Sequence, residues 1–178
     1  MLYSIWIGLN ILALLLRIPK FVGTLAFAFL FLLCTEAGAQ NVCTNKDGVK
    51  LREAPRATSK QSWVVGKFMP FQVVGRSGPW LQVTDLQNQR HWVATSDVSS
   101  RTRCLVVANS TTALRKGPDR SHASAEPFAI ADRYTPFKDL GGEDGWIKVQ
   151  DSMGLQSWIS LDAVWKPTMR TRVDFFEN

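Results

Sequence analysis

Cysteine and histidine are scarce in this chain, with three Cys and two His in 178 residues. A structural zinc site needs about four ligands, and here the Cys and His are dispersed, so no metal is expected. Neither a glycine-rich phosphate loop nor a dinucleotide glycine pattern is present, so no cofactor is expected. Lys and Arg never gather into a run, which argues against nucleic acid as a partner. From residue 42 to 165 no window carries the period of an amphipathic helix. These gaps set aside metalloenzymes, nucleotide enzymes and helical bundles.

What is present is a basic, tryptophan-rich chain. Lys plus Arg is 21 and Asp plus Glu is 15, a formal charge of +6 that favours acidic partners in general. The first 39 residues differ from the rest. Arg17 and Lys20 precede an apolar stretch that runs without a polar residue from Leu25 to Leu33, and Ala37-Gly38-Ala39 follows. Positive charge, apolar core and small-x-small read as a secretory signal, with cleavage expected between Ala39 and Gln40. Ile5 to Leu16 is a second apolar run, broken by Asn10. Neither run reaches the roughly 20 residues of a spanning helix. A start site further in, a hairpin and a retained anchor all remain open, so membrane contact is expected only through this segment. A lipid anchor on Cys34 is disfavoured by the bulky Leu33 before it.

Beyond the leader only Cys43 and Cys104 remain, and two cysteines in an exported chain suggest one disulfide; two separate buried thiols are the alternative. The remaining charge is 21 − 2 basic against 15 − 1 acidic, or +5.

The same pattern is written twice. Val49-Lys50-Leu51-Arg52-Glu53-Ala54-Pro55 parallels Thr112-Ala113-Leu114-Arg115-Lys116-Gly117-Pro118. Gly78-Pro79-Trp80-Leu81-Gln82-Val83 parallels Asp144-Gly145-Trp146-Ile147-Lys148-Val149, and His91-Trp92-Val93 parallels Ser157-Trp158-Ile159. Trp80 to Trp92 and Trp146 to Trp158 are both 12 residues apart, whereas Leu51 to Trp80 is 29 and Leu114 to Trp146 is 32. The second copy therefore carries a short insertion. Domain boundaries follow as 1–39 for the leader, 40–100 and 103–165 for the copies, and 166–178 for a tail containing Phe175-Phe176.

Within each copy the period is two, with Gly, Pro, Asp and Asn turns between short segments. Short strands must close or cover their edges, so the expected fold is all-β, two tandem small barrels. The expected core is Leu51, Val65, Val73, Leu81, Val83, Trp92 and Val93, then Leu114, Ile130, Phe137, Ile147, Val149 and Ile159 with Trp158 nearby. Helical turns are expected near Ser96-Asp97-Val98 and Ser160 to Val164. Cys43 opens the first copy and Cys104 lies just past its end. In a closed barrel first and last strands are neighbours, so the two thiols are expected to meet.

These paired elements resemble the bacterial SH3-like (SH3b) family, whose frame is Leu-Asn-Val-Arg-x-Gly-Pro, then Gly-x-Trp-x-x-Val, then Gly-x-x-Gly-Trp-Val. Ala54, His91 and Ser157 depart from its glycines. The resemblance implies an all-β fold of two tandem small SH3-like barrels and an accessory role: many members are exported, several kinds bind peptidoglycan or accompany cell-wall hydrolases, and others serve protein contacts.

Catalysis is not expected. Cys43 lacks a base, His91 reads as a strand residue and His122 as a solvated one in a polar loop. Asn109-Ser110-Thr111 matches the glycosylation triplet by chance. Binding residues are sought among the aromatics: Trp80 and Trp146 directly follow turns, Trp63 is a third candidate, and Arg52 and Arg115 stand at matching places to meet an acidic peptide stem. The expected function is a non-catalytic, cell-envelope binding or targeting protein, periplasmic or extracellular, with peptidoglycan or an envelope protein as partner. A structural or protein-contact module is the alternative.

Overall fold

The structure is a computed structural model that describes residues 40–167. The leader, Cys34 and the Phe175-Phe176 pair lie outside the described residues.

Strands β1 (Asn41–Thr44), β2 (Val49–Arg52), β3 (Gln61–Val65), β4 (Pro70–Ser77), β5 (Trp80–Thr84), β6 (Arg90–Ala94) and β7 (Val98–Ser99) form one sheet, ordered β3-β2-β6-β5-β4-β1-β7. The second half contributes β8 (Cys104–Val107), β9 (Thr111–Ala113), β10 (Ile130–Asp132), β11 (Pro136–Glu143), β12 (Trp146–Gln150), β13 (Gln156–Ser160) and β14 (Val164–Trp165). Five of these order as β13-β12-β11-β8-β14, while β9 and β10 make a separate ribbon. The remaining described elements are single 3₁₀ turns at Thr95–Asp97 and Leu161–Ala163, where helical turns are expected from the sequence. The chain is thus all-β.

The sheets are not closed barrels, which corrects the expectation. In the first sheet β3 and β7 end as edges. Strand β7 contributes only two residues, enough to pair with β1 at Cys43↔Ser99 and Thr44↔Val98 but too few to reach a second neighbour.

Turn chemistry is repeated between the halves. Asp85 Oδ1 accepts hydrogen bonds from the amides of Gln87 and Gln89 at 2.9 and 2.8 Å. Asp151 Oδ1 accepts them from Met153 and Leu155 at the same distances. Each is an Asx-type turn that joins two strands. The left-handed corner falls on Asn88 (φ 60°) in one and Gly154 (φ 96°) in the other, residue types that tolerate it. Phe68 (φ 69°) and Tyr134 (φ 68°) occupy a second matching corner.

Alternation decides the core. Leu51, Val65, Leu81, Val83 and Val93 are buried as expected, joined by Phe71, Met69 and Val49. Burying a side chain the size of Leu51 or Phe71 contributes roughly 1.5–3 kcal/mol. Trp92 is only half-buried, because His91 and Val93 flank it and both face inward. With a side-chain period of two, its neighbours' burial sends Trp92 to the other face. Trp158, between buried Ser157 and Ile159, is outside for the same reason. Val73 is half-buried, beside the register shift between Val73 and Gly75. Ile130 is 65% exposed, since Ala131 takes the inward position of β10. Leu114, Phe137, Ile147, Val149 and Ile159 form the second core.

The disulfide forms, though not within one barrel. Cys43 on β1 is bonded to Cys104 on β8, with Cα atoms 6.1 Å apart. The bond therefore ties the first sheet to the second. Strand β8 is buried along its whole length. Leu105 and Val107 pack in the second core, while Val106 packs in the first, beside half-buried Tyr134 and Trp165. A strand buried on both faces has no polar-out positions left to use, which is why Cys104 to Val107 reads as continuous apolar sequence.

Candidate functional site

The expected binding residues come together in pairs on the outer faces of the two hairpins. In an antiparallel ladder, directly opposed residues share a face. Trp80 opposes Ala94, Gln82 opposes Trp92, and Trp92 also opposes Arg52. Trp80, Trp92 and Arg52 thus belong to one face, opposite the core. In the second half Trp146 opposes Ser160, Lys148 opposes Trp158, and Arg115 bridges to Trp158. Trp146, Trp158 and Arg115 repeat the arrangement. All six side chains are half-buried.

Trp63 is not part of either set. It opposes Leu51 and packs edge-on to Tyr134 at 5.2 Å between ring centroids, with His91 at 6.3 Å. It packs against the first core where residues of the two halves meet.

The two arginines differ in what holds them. Arg52 donates from Nη1 to the carbonyl of Ser59 at 2.9 Å. Arg115 donates from Nη1 to the carbonyl of His122 at a longer 3.3 Å, and its buried Nε has no protein acceptor. Beside Arg115 is a cleft of about 260 Å³, lined among others by Asn109, Thr112, Arg120, Trp146 and Asp162. Two guanidinium groups against one carboxylate leave it cationic, and Trp146 supplies an aromatic side wall. A planar guanidinium fork suits carboxylates and phosphates.

Arg120 is a site residue that the sequence reading missed. Its signal was the insertion itself: the longer Leu114 to Trp146 span carries the loop Asp119-Arg120-Ser121-His122. That loop is shaped locally. The Ser121 amide donates to Asp119 Oδ1, and hydrogen bonding from Ser121, its side chain first and then this amide, lowers the Asp119 pKa. His122 lies directly over Gly117, where a Cβ would overlap the imidazole. Ala54, at the matching place in the first half, donates its amide to Ser59 Oγ at 3.0 Å.

The histidine of the first half is not the simple strand residue it looks like in sequence. His91 is 6% exposed, with Nδ1 2.9 Å from Ser62 Oγ and Nε2 3.9 Å from Asp85 Oδ2. Burial lowers its pKa below 6.5, and the Asp85 carboxylate offsets part of that shift. Ser, His and Asp are thus near one another, but 3.9 Å is beyond hydrogen-bond reach. The other carboxylate oxygen, Oδ1, holds the turn amides, and the counterpart Asp151 builds the same turn where Ser157 stands in place of the histidine. Asp85 is explained by the turn.

A second cleft, of about 310 Å³, was not anticipated. Asp47, Lys67, Phe128, Ile130, Asp132 and Met153 are among its lining. Of these apolar residues, Ile130 is the one that the sequence places in the core.

Among solved structures, two that match are the structure of NlpC1 and the structure of NlpC2, both from Trichomonas vaginalis. The first is 12% identical with a TM-score of 0.32, covering 75% of this chain and 48% of that one. The second is 11% identical with a TM-score of 0.33, covering 75% and 50%. The chain spans about half the length of each, and at this distance neither bears on its activity. No curated protein matches the chain. The family model described as "Bacterial SH3 domain" matches residues 45–100. That segment begins just after β1 and runs through β7, including Arg52, Trp80 and the His91-Trp92-Val93 element, so residues 45–100 of this chain are a bacterial SH3 domain.

Proposed function

We propose that this protein is a non-catalytic binding or targeting protein of the cell envelope, and that residues 103–165 are a second SH3-like copy behind the one at 40–100. Supporting the second copy are the matched Asx turns at Asp85 and Asp151 and the matched left-handed corners at Phe68 and Tyr134. The leader 1–39 serves export. A Cys43–Cys104 disulfide is consistent with that, because such bonds persist in oxidising compartments outside the cytoplasm.

The observation that carries the ligand assignment is the cationic cleft where Arg115 and Arg120 flank Trp146. Its chemistry suits an acidic, extended ligand that lays an apolar or sugar face on the indole while a carboxylate meets the guanidinium groups. Peptidoglycan and its peptide stems have this character. Ser62 is bonded to His91, but His91 Nε2 stands 3.9 Å from Asp85 Oδ2, beyond hydrogen-bond reach, and this supports a binding role over hydrolysis.

The test is sedimentation with purified peptidoglycan. The wild-type protein is expected in the pellet and the Trp146→Ala, Arg115→Gln double variant in the supernatant. Wild type remaining wholly in the supernatant would remove the wall-binding assignment. The alternative, an envelope protein-contact module without wall binding, is favoured by one observation of its own: the exposed apolar lining of the second cleft, at Phe128, Ile130 and Met153.

A further inference from the structure

Large apolar side chains that reach solvent are concentrated in the second half of the described chain. Phe128 is 51% exposed, Ile130 65% and Met153 67%, and all three line the 310 Å³ cleft. Leu155, 44% exposed, lines a smaller hollow that shares Phe128 with it. Single exposed apolar residues need no explanation, but a contiguous group beside a cleft marks a contact surface. This surface is separate from the Trp146 cleft and does not rest on wall binding. The Trp146 cleft takes Thr112 and Ala113 from β9, whereas this one takes Ile130, Ala131 and Asp132 from β10.

Two further observations say what fits. The first is charge. Asp47, Asp132 and Asp151 line the cleft against Lys67 alone, so it holds three negative charges and one positive, net −2. In a chain of formal charge +6 this is a local inversion. Asp47 and Asp151 each spend one carboxylate oxygen on a backbone amide, of Lys67 and of Met153 and Leu155 respectively. Asp132 is exposed on a strand.

The second is the strand itself. β10 pairs with β9 on one side only and is an edge of its ribbon. Ile130 and Asp132 are both exposed, with buried Ala131 between them. Residues i and i+2 of a strand share a face, so an apolar and an acidic side chain stand side by side over the cleft, about 7 Å apart along the strand.

We propose that this cleft docks an extended segment of a partner protein, laid antiparallel beside β10, with a lysine or arginine two residues before a large apolar residue. Backbone pairing to the strand edge supplies affinity, and alternate side chains supply selectivity. The apolar residue covers Ile130 and reaches Phe128 and Met153, and the cation meets Asp132. The two-residue spacing follows from the separation of Ile130 and Asp132, and the charge from the carboxylates.

The test uses the full chain and three fluorescent octapeptides that differ only at their centre: Lys-Thr-Phe, Glu-Thr-Phe and the scrambled Lys-Phe-Thr. Anisotropy titrations are expected to show the first binding at least fivefold more tightly than either other. Asp132→Lys is expected to remove that preference and invert the order of the first two. Met153→Asp is expected to weaken the Lys-Thr-Phe peptide at least tenfold. Both substitutions are at exposed sites, and an unchanged thermal midpoint confirms folding. Equal binding of the three peptides, no binding of any, or indifference to both substitutions would overturn the proposal. A concentration-dependent dimer abolished by Met153→Asp would also overturn it, assigning the surface to a second copy of this chain.

Discussion

Leu105 and Val106 are neighbours on one strand and belong to different hydrophobic cores. Leu105 packs with Phe137 and Ile159, while Val106 packs with the core of Phe71 and Leu51. One strand therefore couples the two halves. A unit of about 60 residues buries little surface alone and is marginal, so each half gains from the other. Val106→Ala is expected to cost about 2 kcal/mol, and it should lower the denaturation midpoint of the whole described region. A scan in which the first half alone shifts would show that the cores unfold independently.

Cys43 and Cys104 reinforce the same junction from the side. They lie 61 residues apart in sequence, and closing a loop of that length is worth about 4 kcal/mol in the chain-entropy model. Urea unfolding with and without reductant should show a loss of that order. Cys104→Ser should reproduce it without reductant, and a change under about 1 kcal/mol would mean that the reduced chain is already held together.

Acid should weaken the second half through Asp139. Burial raises its pKa, but the Lys166 ammonium at 2.8 Å, the Gly141 amide and the charge of Arg103 outweigh that and leave it lowered. A carboxylate with a depressed folded pKa stabilises above its unfolded value near 3.9. That contribution is lost as pH falls through the lower folded value. Lys166→Gln should cost up to about 1 kcal/mol at neutral pH, the Lys side chain being partly exposed, and should shift the acid-unfolding midpoint upward. An unchanged acid midpoint would show the pair to be energetically silent.

His91 acts in a different window. Its folded pKa lies below 6.5, so below that pH the unfolded chain takes up a proton that the folded chain does not. The stabilisation is complete above about pH 6.5 and falls as pH drops toward the folded value. His91→Gln should flatten stability against pH in this window while leaving the Asp139 effect at lower pH. If the wild type is level there, the imidazole is not buried in solution.

Gly117 and His122 make a testable pair. Any Cβ at residue 117 overlaps the imidazole, so Gly117→Ala must displace the His122 side chain on the loop that carries Arg120. The expected result is several-fold weaker peptidoglycan retention, restored when His122→Ala is added. Retention that Gly117→Ala leaves intact would detach Arg120 from the site.

Much of this protein was written in its sequence, for a local reason. Strand positions, turns and the paired tryptophans follow from period-two alternation and from Asp, Asn and Gly at corners, and none of these needs a distant contact. The same alternation, applied strictly, also places Trp92 and Trp158 outside, since His91-Trp92-Val93 cannot send adjacent side chains inward together. Only the tertiary structure decided the rest. That β8 serves two cores, that Cys43 meets Cys104 across two sheets, that Trp63 packs on Tyr134 and that Arg120 and Trp146 line one cleft all depend on residues brought together from distant parts of the chain. The acidic cleft belongs with them: Ile130 looks like a core residue in one dimension, and only the packing of Ala131 shows that it faces solvent.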